Sequence, residues 1–174
     1  MFDKLIDFLL NMVYDILPVW FVKQYDNGIF LRMGKFKKVV KPGVVWKFPF
    51  IDKIECQTIV TTTLSVPTQS VITKDKKALV VKAVVKYKIV DVEKFMLTVY
   101  DAHDAIGDTA QSIIKTLIAE KDFDECTSND FDNSVTKKLR NEVKHWGIDI
   151  EKVTLTDIGQ IKSLRLFNEG LIVG

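Results

Sequence analysis

Two histidines and a set of clustered acids are the side chains whose types and spacing could support chemistry in this 174-residue chain. His103 stands among Asp101, Asp104 and Asp108, and an imidazole with carboxylates at helical spacing can hold a metal ion or exchange a proton. His145 has no such neighbours, and neither histidine lies beside a serine or cysteine nucleophile motif. We therefore interpret the acids around His103 as an exposed helical face, not as a metal site.

The stretch from residue 122 to residue 132 is acidic enough to suggest a calcium site. It lacks the alternating acids and the sixth-position glycine that a calcium-binding loop requires. The chain also has no glycine-rich loop long enough to hold a phosphate group. The sequence thus predicts a protein that is not an enzyme and that uses no cofactor and no metal. The acids of the stretch are Asp122, Asp124, Glu125, Asp130 and Asp132.

Composition narrows the remaining classes of function. A net charge of +2 is too small to indicate a nucleic-acid partner. Cys56 and Cys126 are far apart in the chain and have no metal-ligand pattern near them, so we interpret each as a buried apolar residue or a free thiol. The length suits one domain with short extensions.

The spacing of apolar residues along the sequence predicts the strands and helices that would position these side chains. Strict alternation between residues 79 and 89, with lysines on the other side, predicts a strand with one buried face. A second strand is predicted over residues 58–66, with Val60, Leu64 and Val66 facing inward. The inward residues of the first strand are Leu79, Val81, Ala83, Val85, Tyr87 and Ile89.

Beyond Asp91 the apolar residues recur every three or four positions, which is typical of amphipathic helices. One helix is predicted from about Val99 through Glu120. Another is predicted to begin at an N-cap among residues 128–130 and to stop at Gly147; its apolar side carries Phe131, Val135, Leu139, Val143 and Trp146. A last strand follows from Ile148, with a one-residue bulge predicted at Glu151-Lys152. Strands, then helices, then a closing strand indicate an α+β fold.

Glycine and proline punctuate the first third of the chain. Asn27-Gly28 lies between two apolar stretches and is a strong signal for a tight hairpin turn. Gly34, Pro42-Gly43 and Pro49 predict further turns. Two strings contain these signals, YDNGIFLRMGKF at residues 25–36 and KPGVVWKFPFID at residues 41–52.

These two strings, with the later elements in the same order, resemble the SPFH or Band 7 domain of stomatins, prohibitins and flotillins. The likeness covers roughly residues 20–160. It implies an SPFH domain at residues 23–162, with an antiparallel sheet and two main helices, after a membrane-associating segment at residues 1–22. The family usually continues into a long helical segment, whereas this chain has a short tail at residues 163–174.

The N-terminal segment is interpreted as a helix lying in the membrane interface. One narrow polar stripe runs along the helix and contains Asp3, Asp7, Asn11 and Asp15, and the remaining face is wide and apolar. Pro18 should end or kink the helix. Such a helix is about 24 Å long at 1.5 Å per residue, shorter than the hydrocarbon core of about 30 Å. The residues expected to contact the membrane are Phe2, Leu5, Ile6, Leu9, Leu10, Val13, Tyr14, Leu17, Trp20 and Phe21.

Two other interpretations of this segment stay open. The apolar run could continue through Val22 as a re-entrant or spanning element. It could also be an amphipathic helix that packs on the domain or on a second subunit. A secretory signal peptide is excluded, because the basic start and the small-residue cleavage site are both missing.

A basic run follows the apolar segment and contains a single acid. Its position predicts contact with anionic headgroups on the cytoplasmic side, where each lysine contributes on the order of 1 kcal/mol. The alternative is a solvated strand surface. The lysines expected to contact headgroups are Lys23, Lys35, Lys37, Lys38 and Lys41.

The resemblance therefore implies a membrane-associated scaffold that self-associates laterally and organises lipids or membrane proteins. Its partners would be membrane lipids and further copies of the chain. The alternative is a regulatory adaptor for one membrane protein, such as an ATP-driven protease or a channel.

Overall fold

The computed structural model describes residues 18–161. The predicted interfacial helix up to Leu17 and the tail at residues 163–174 lie outside the described residues. Val19–Val22, grouped above with the membrane segment, form the first strand.

The first part of the described chain is a small β-module of two antiparallel sheets. β1 and β4 pair in a two-stranded sheet, and β3, β2 and β5 form a three-stranded sheet in that order. The strands are β1 (Val19–Val22), β2 (Asp26–Arg32), β3 (Lys35–Val40), β4 (Gly43–Trp46) and β5 (Asp52–Thr58).

The hairpin turn predicted at Asn27-Gly28 is wrong. Both residues lie inside β2, where Gly28 pairs with Val40 on one side and Cys56 on the other. Gly28 is needed for space, because a Cβ there would lie 2.6 Å from the carbonyl oxygen of Glu55. The tight hairpin occurs instead at Met33-Gly34, where both φ angles are positive, 51° and 75°.

The second part combines a three-stranded antiparallel sheet in the order β6, β7, β8 with helices. Its strands are β6 (Thr62–Ile72), β7 (Ala78–Ile89) and β8 (Ile148–Gln160). The helices are α1 (Val92–Thr98), α2 (Ala102–Glu120), α3 (Phe123–Cys126) and α4 (Asn129–Glu142), and a 3-10 turn covers Lys144–Trp146. α2 packs on β6, α4 packs on β8, and the two helices contact each other. The α+β prediction is thus confirmed, although the strands form three small sheets.

Most of the periodic signals are confirmed by burial. The six inward residues predicted for β7 are all buried, and the bulge predicted in β8 appears where Lys86 pairs with Lys152 while Tyr87 pairs with Ile150. The apolar side of α4 is buried at Phe131, Val135, Leu139 and Val143, and Ser128 is its N-cap.

Three boundaries differ from the prediction. The helix predicted to stop at Gly147 ends at Glu142, and Trp146 lies in the 3-10 turn that follows it. The strand predicted over residues 58–66 is split, because β5 ends at Thr58 and β6 begins at Thr62, which leaves Val60 half-exposed at 51%. Helix α2 begins at Ala102, and Val99 is instead the C-cap of the separate helix α1. The break follows from Asp101, whose left-handed backbone cannot continue a helix and whose side chain caps α2.

Candidate membrane interface

The two-stranded sheet of β1 and β4 has two unlike faces. Its register pairs Phe21 with Val44 and Val19 with Trp46, and paired residues lie on the same face of an antiparallel sheet. Phe21 and Trp46 are each 73% exposed, and Val44 is 60% exposed. We call Phe21, Val44 and Trp46 the outer strand face.

The opposite face of the same sheet packs on the core of the module and is buried at Val22 and partly buried at Trp20 and Val45. Trp20, Val22 and Val45 pack against a cluster that contains Phe30, Val40 and Ile54. Trp20 and Phe21, both predicted to contact membrane, therefore point in opposite directions, and only Phe21 belongs to the outer strand face. The module thus presents its exposed apolar surface on the side away from its own small core.

The five lysines predicted to contact headgroups are all exposed, but they do not form one cluster. Lys23 and Lys41 flank the end of the sheet where Val22 pairs with Gly43. Lys35 follows the Met33-Gly34 turn at the other end of the module. Lys23 and Lys41 therefore border the outer strand face, and the contact of the five lysines with headgroups stays a prediction.

One salt bridge, between Arg32 and Asp52, joins the end of β2, beside the turn to β3, to the start of β5, beside the segment from β4. Arg32 donates from Nε and Nη2 to the two carboxylate oxygens of Asp52, at 2.7 Å and 3.0 Å. The backbone N–H of Phe48 also donates to Asp52, at 2.9 Å. The Asp52 side chain is fully buried, whereas that of Arg32 is 44% exposed. Hydrogen bonding from Arg32, with a further bond from Phe48, lowers the pKa of Asp52 below its usual range.

Replacing Asp52 with asparagine is expected to lower the melting temperature at pH 7, because Arg32 and the Phe48 N–H lose a charged acceptor. A depressed folded-state pKa adds stability that is complete above the ordinary Asp value of about 3.9 and is lost as the pH falls through the folded value. The melting temperatures of Asp52→Asn and the wild type should therefore converge in acid. Thermal unfolding from pH 7 down to about pH 2 checks this, because the loss is complete only below both pKa values. A gap independent of pH would contradict it.

The two histidines considered above for chemistry lie in the second part of the domain, outside the β-module. The Tyr87 hydroxyl and His103 Nδ1 are 2.6 Å apart, and Trp146 Nε1 donates to His145 Nε2 at 2.9 Å. Within residues 18–161, no three His, Cys, Asp or Glu side chains come together in a way that could hold a metal ion. Cys126 is buried and Cys56 half-buried, and both are free thiols.

Sequence reasoning missed part of the exposed apolar surface. Val44 and Trp46 were interpreted only as part of a punctuated strand, although alternation places them on one face and Val45 on the other. A search for strands with apolar residues on both faces would have found them. In the part of the chain that the structure describes, no helix is long and apolar enough to cross a bilayer.

The described residues thus form an α+β domain whose β-module carries an exposed apolar strand face. The model of the SPFH domain / Band 7 family matches residues 21–164, and the chain belongs to that family. It is 37% identical over 142 residues to an uncharacterized protein of Methanocaldococcus jannaschii, covering 79% of this chain and 70% of that protein.

Named relatives are more distant. The chain is 26% identical over 161 residues to stomatin-like protein 3 of Mus musculus, covering 88% of this chain and 56% of the relative. It is 27% identical over 152 residues to a stomatin homolog of Pyrococcus horikoshii, and the match covers 86% of this chain and 57% of that relative. The chain thus spans little more than half the length of these stomatin-type relatives.

Proposed function

We propose that this protein is a membrane-associated, non-enzymatic scaffold that binds the cytoplasmic surface of a bilayer and self-associates there. The observation that carries the proposal is the outer strand face. Phe21 lies in β1, the strand that follows the predicted interfacial helix, and Val44 and Trp46 lie in its partner strand β4. All three side chains stay exposed although they lie in a paired sheet. Exposed contiguous apolar surface is typical of a binding site.

The size of this surface fits reversible attachment. A Val or Phe side chain that leaves water completely contributes about 1.5 to 3 kcal/mol. Each lysine close to anionic lipid adds on the order of 1 kcal/mol. Stable attachment usually needs two signals, and the predicted helix at residues 2–17 supplies the second. The domain would then sit against the lipid with its helical part turned toward the cytoplasm.

Long sheet edges support the self-association. β6 and β8 flank β7 in the three-stranded sheet and have 11 and 13 residues, and within residues 18–161 neither pairs with a further strand. Such edges can bind a neighbouring chain. Concentrating the chains on a surface raises their effective concentration, so lateral contacts too weak for solution would form on the bilayer.

Vesicle flotation of the full chain tests the proposal. A triple variant with Phe21→Thr, Val44→Thr and Trp46→Thr keeps β-forming residues but removes the apolar contact. We therefore expect its affinity for vesicles to fall about tenfold or more. The matched control is Val60→Thr, Ile72→Thr and Val90→Thr, which replaces exposed apolar residues outside the β-module. Equal losses in both triple variants, or a wild type that does not float, would refute the proposal. Removing residues 2–18 should weaken binding further.

Cross-linking of the floated fraction measures self-association in the same experiment. Oligomers should be more abundant on vesicles than in detergent, and a monomer in both would argue against a scaffold. A single stoichiometric membrane protein recovered with the chain from native membranes would favour the adaptor role instead.

A further inference from the structure

The two most exposed large apolar residues of the β-module, Phe50 and Met33, lie on two loops at one end, together with Phe48 and Ile51. Met33 is 80% exposed, Phe50 92%, Phe48 63% and Ile51 49%. Met33 belongs to the turn between β2 and β3, and the other three lie in the segment that joins β4 to β5. The backbone N–H of Met33 donates to the carbonyl oxygen of Ile51 at 2.8 Å, so the loops form one structure. We call these four residues the loop tip.

The two most exposed residues of the loop tip have an unfavourable backbone. The φ angle is +51° at Met33 and +70° at Phe50. Bulky side chains rarely adopt this left-handed region, which glycine and asparagine tolerate much better. Strained backbone of this kind clusters at functional sites. Here its effect is to hold two large apolar side chains in water.

Side-chain hydrogen bonds also tie the loop tip to the neighbouring strands. The bond pair between Arg32 and Asp52 joins the end of β2 to the start of β5, and Asp52 accepts a further bond from Phe48. The Arg32 guanidinium lies 5.5 Å from the Phe48 ring. The apolar side chains are therefore presented by a fixed frame, as an inserting element requires, and the conformational cost of ordering the loops on binding is small.

The position and the charges of the loop tip indicate what it contacts. The Lys47 N–H donates to the Pro18 carbonyl oxygen at 2.9 Å, so the first described residue lies beside the loop tip. A cleft of about 540 Å³ opens there, with Lys47 and Lys53 among its lining residues. The Lys47 ammonium is 4.9 Å from the centre of the Trp20 ring. Apolar tips bordered by lysines are complementary to a bilayer with anionic headgroups.

We infer that the loop tip inserts into the boundary between the headgroups and the acyl chains, as a contact separate from the outer strand face. The inference rests on the proposed function, since it names a further part of the same membrane-binding surface. Met33 and Phe50 supply the inserted side chains, and the Arg32–Asp52 pair positions them.

Replacing Met33 and Phe50 with asparagine separates binding from folding. Asparagine tolerates positive φ, so the double variant should melt at the same temperature as the wild type or higher. Its affinity for anionic vesicles should fall about tenfold or more, because two apolar side chains no longer leave water. Tyr100→Asn is the matched control, since Tyr100 is fully exposed in the second part of the domain; it should leave the affinity unchanged.

Insertion depth gives a second, independent measurement. Phe50→Trp on vesicles with brominated acyl chains should show quenching beyond that of the three native tryptophans, and Tyr100→Trp should add none. Wild-type flotation with an unchanged affinity of the double variant would overturn the inference and leave the proposed function intact. A wild type that fails to float would overturn both. Loss of a lipid-free oligomer in the double variant, with no loss of vesicle affinity, would assign the loop tip to a second copy and overturn the inference.

Discussion

Replacing Gly147 with alanine is expected to lower the free energy of unfolding by about 3 to 5 kcal/mol, the sum of backbone strain and overpacking. Gly147 has a φ of +76°, and a Cβ there would lie 2.3 Å from the carbonyl oxygen of Asp91 and 2.9 Å from the Cβ of Lys94. Its own carbonyl accepts from the N–H groups of Val90 and Asp91, both at 2.9 Å. The collision would therefore push the start of β8 away from the start of α1.

Gly34 provides the matched control for this prediction. Its φ of +75° is nearly the same, but nothing lies within 4 Å of a Cβ at that position. Gly34→Ala should therefore cost only the strain of the left-handed region, roughly 1 to 2 kcal/mol. Denaturant unfolding of both variants measures the difference. Equal losses would mean that the crowding around Gly147 contributes nothing.

The second part of the domain was predictable because its sequence carries one clear period at a time. In β7 the inward residues alternate without interruption. In α4 the apolar residues Phe131, Val135 and Leu139 are each four positions apart. Each pattern is redundant, so that one atypical residue does not change the interpretation. The bulge in β8 was predictable for the same reason, since a single inserted residue shifts the phase of a long alternation.

The β-module was less predictable because its strands are short and its glycines serve different purposes. Asn27-Gly28 has the composition of a tight turn, but Gly28 is required by close packing between three strands. Met33-Gly34 forms the turn, although methionine is a poor residue for positive φ. No local rule separates these two cases. The apolar loop tip was missed for a related reason, since sequence rules assume that the backbone avoids strain.

Gly28→Ala is expected to cost about 2 to 3 kcal/mol through overpacking alone. A Cβ at Gly28 would lie 2.6 Å from the Glu55 carbonyl oxygen, 2.9 Å from Cys56 Sγ and 3.1 Å from a methyl group of Val40. Since the Glu55 atom belongs to the backbone, β5 would have to move away from β2. Gly159 in β8 is the control, because nothing lies within 4 Å of a Cβ there, and Gly159→Ala should stay within about 0.5 kcal/mol of the wild type.

The consequence of Gly28→Ala should be local and should reach the membrane-binding surface. β5 begins at Asp52, so a displaced β5 moves one partner of the Arg32–Asp52 pair that fixes the loop tip. Amide hydrogen exchange should accelerate in β2, β3 and β5 and remain slow in β7, because the two parts have separate sheets. Vesicle affinity should fall along with this protection, and unchanged affinity with a loosened β-module would show that the frame around the loop tip is not required for binding.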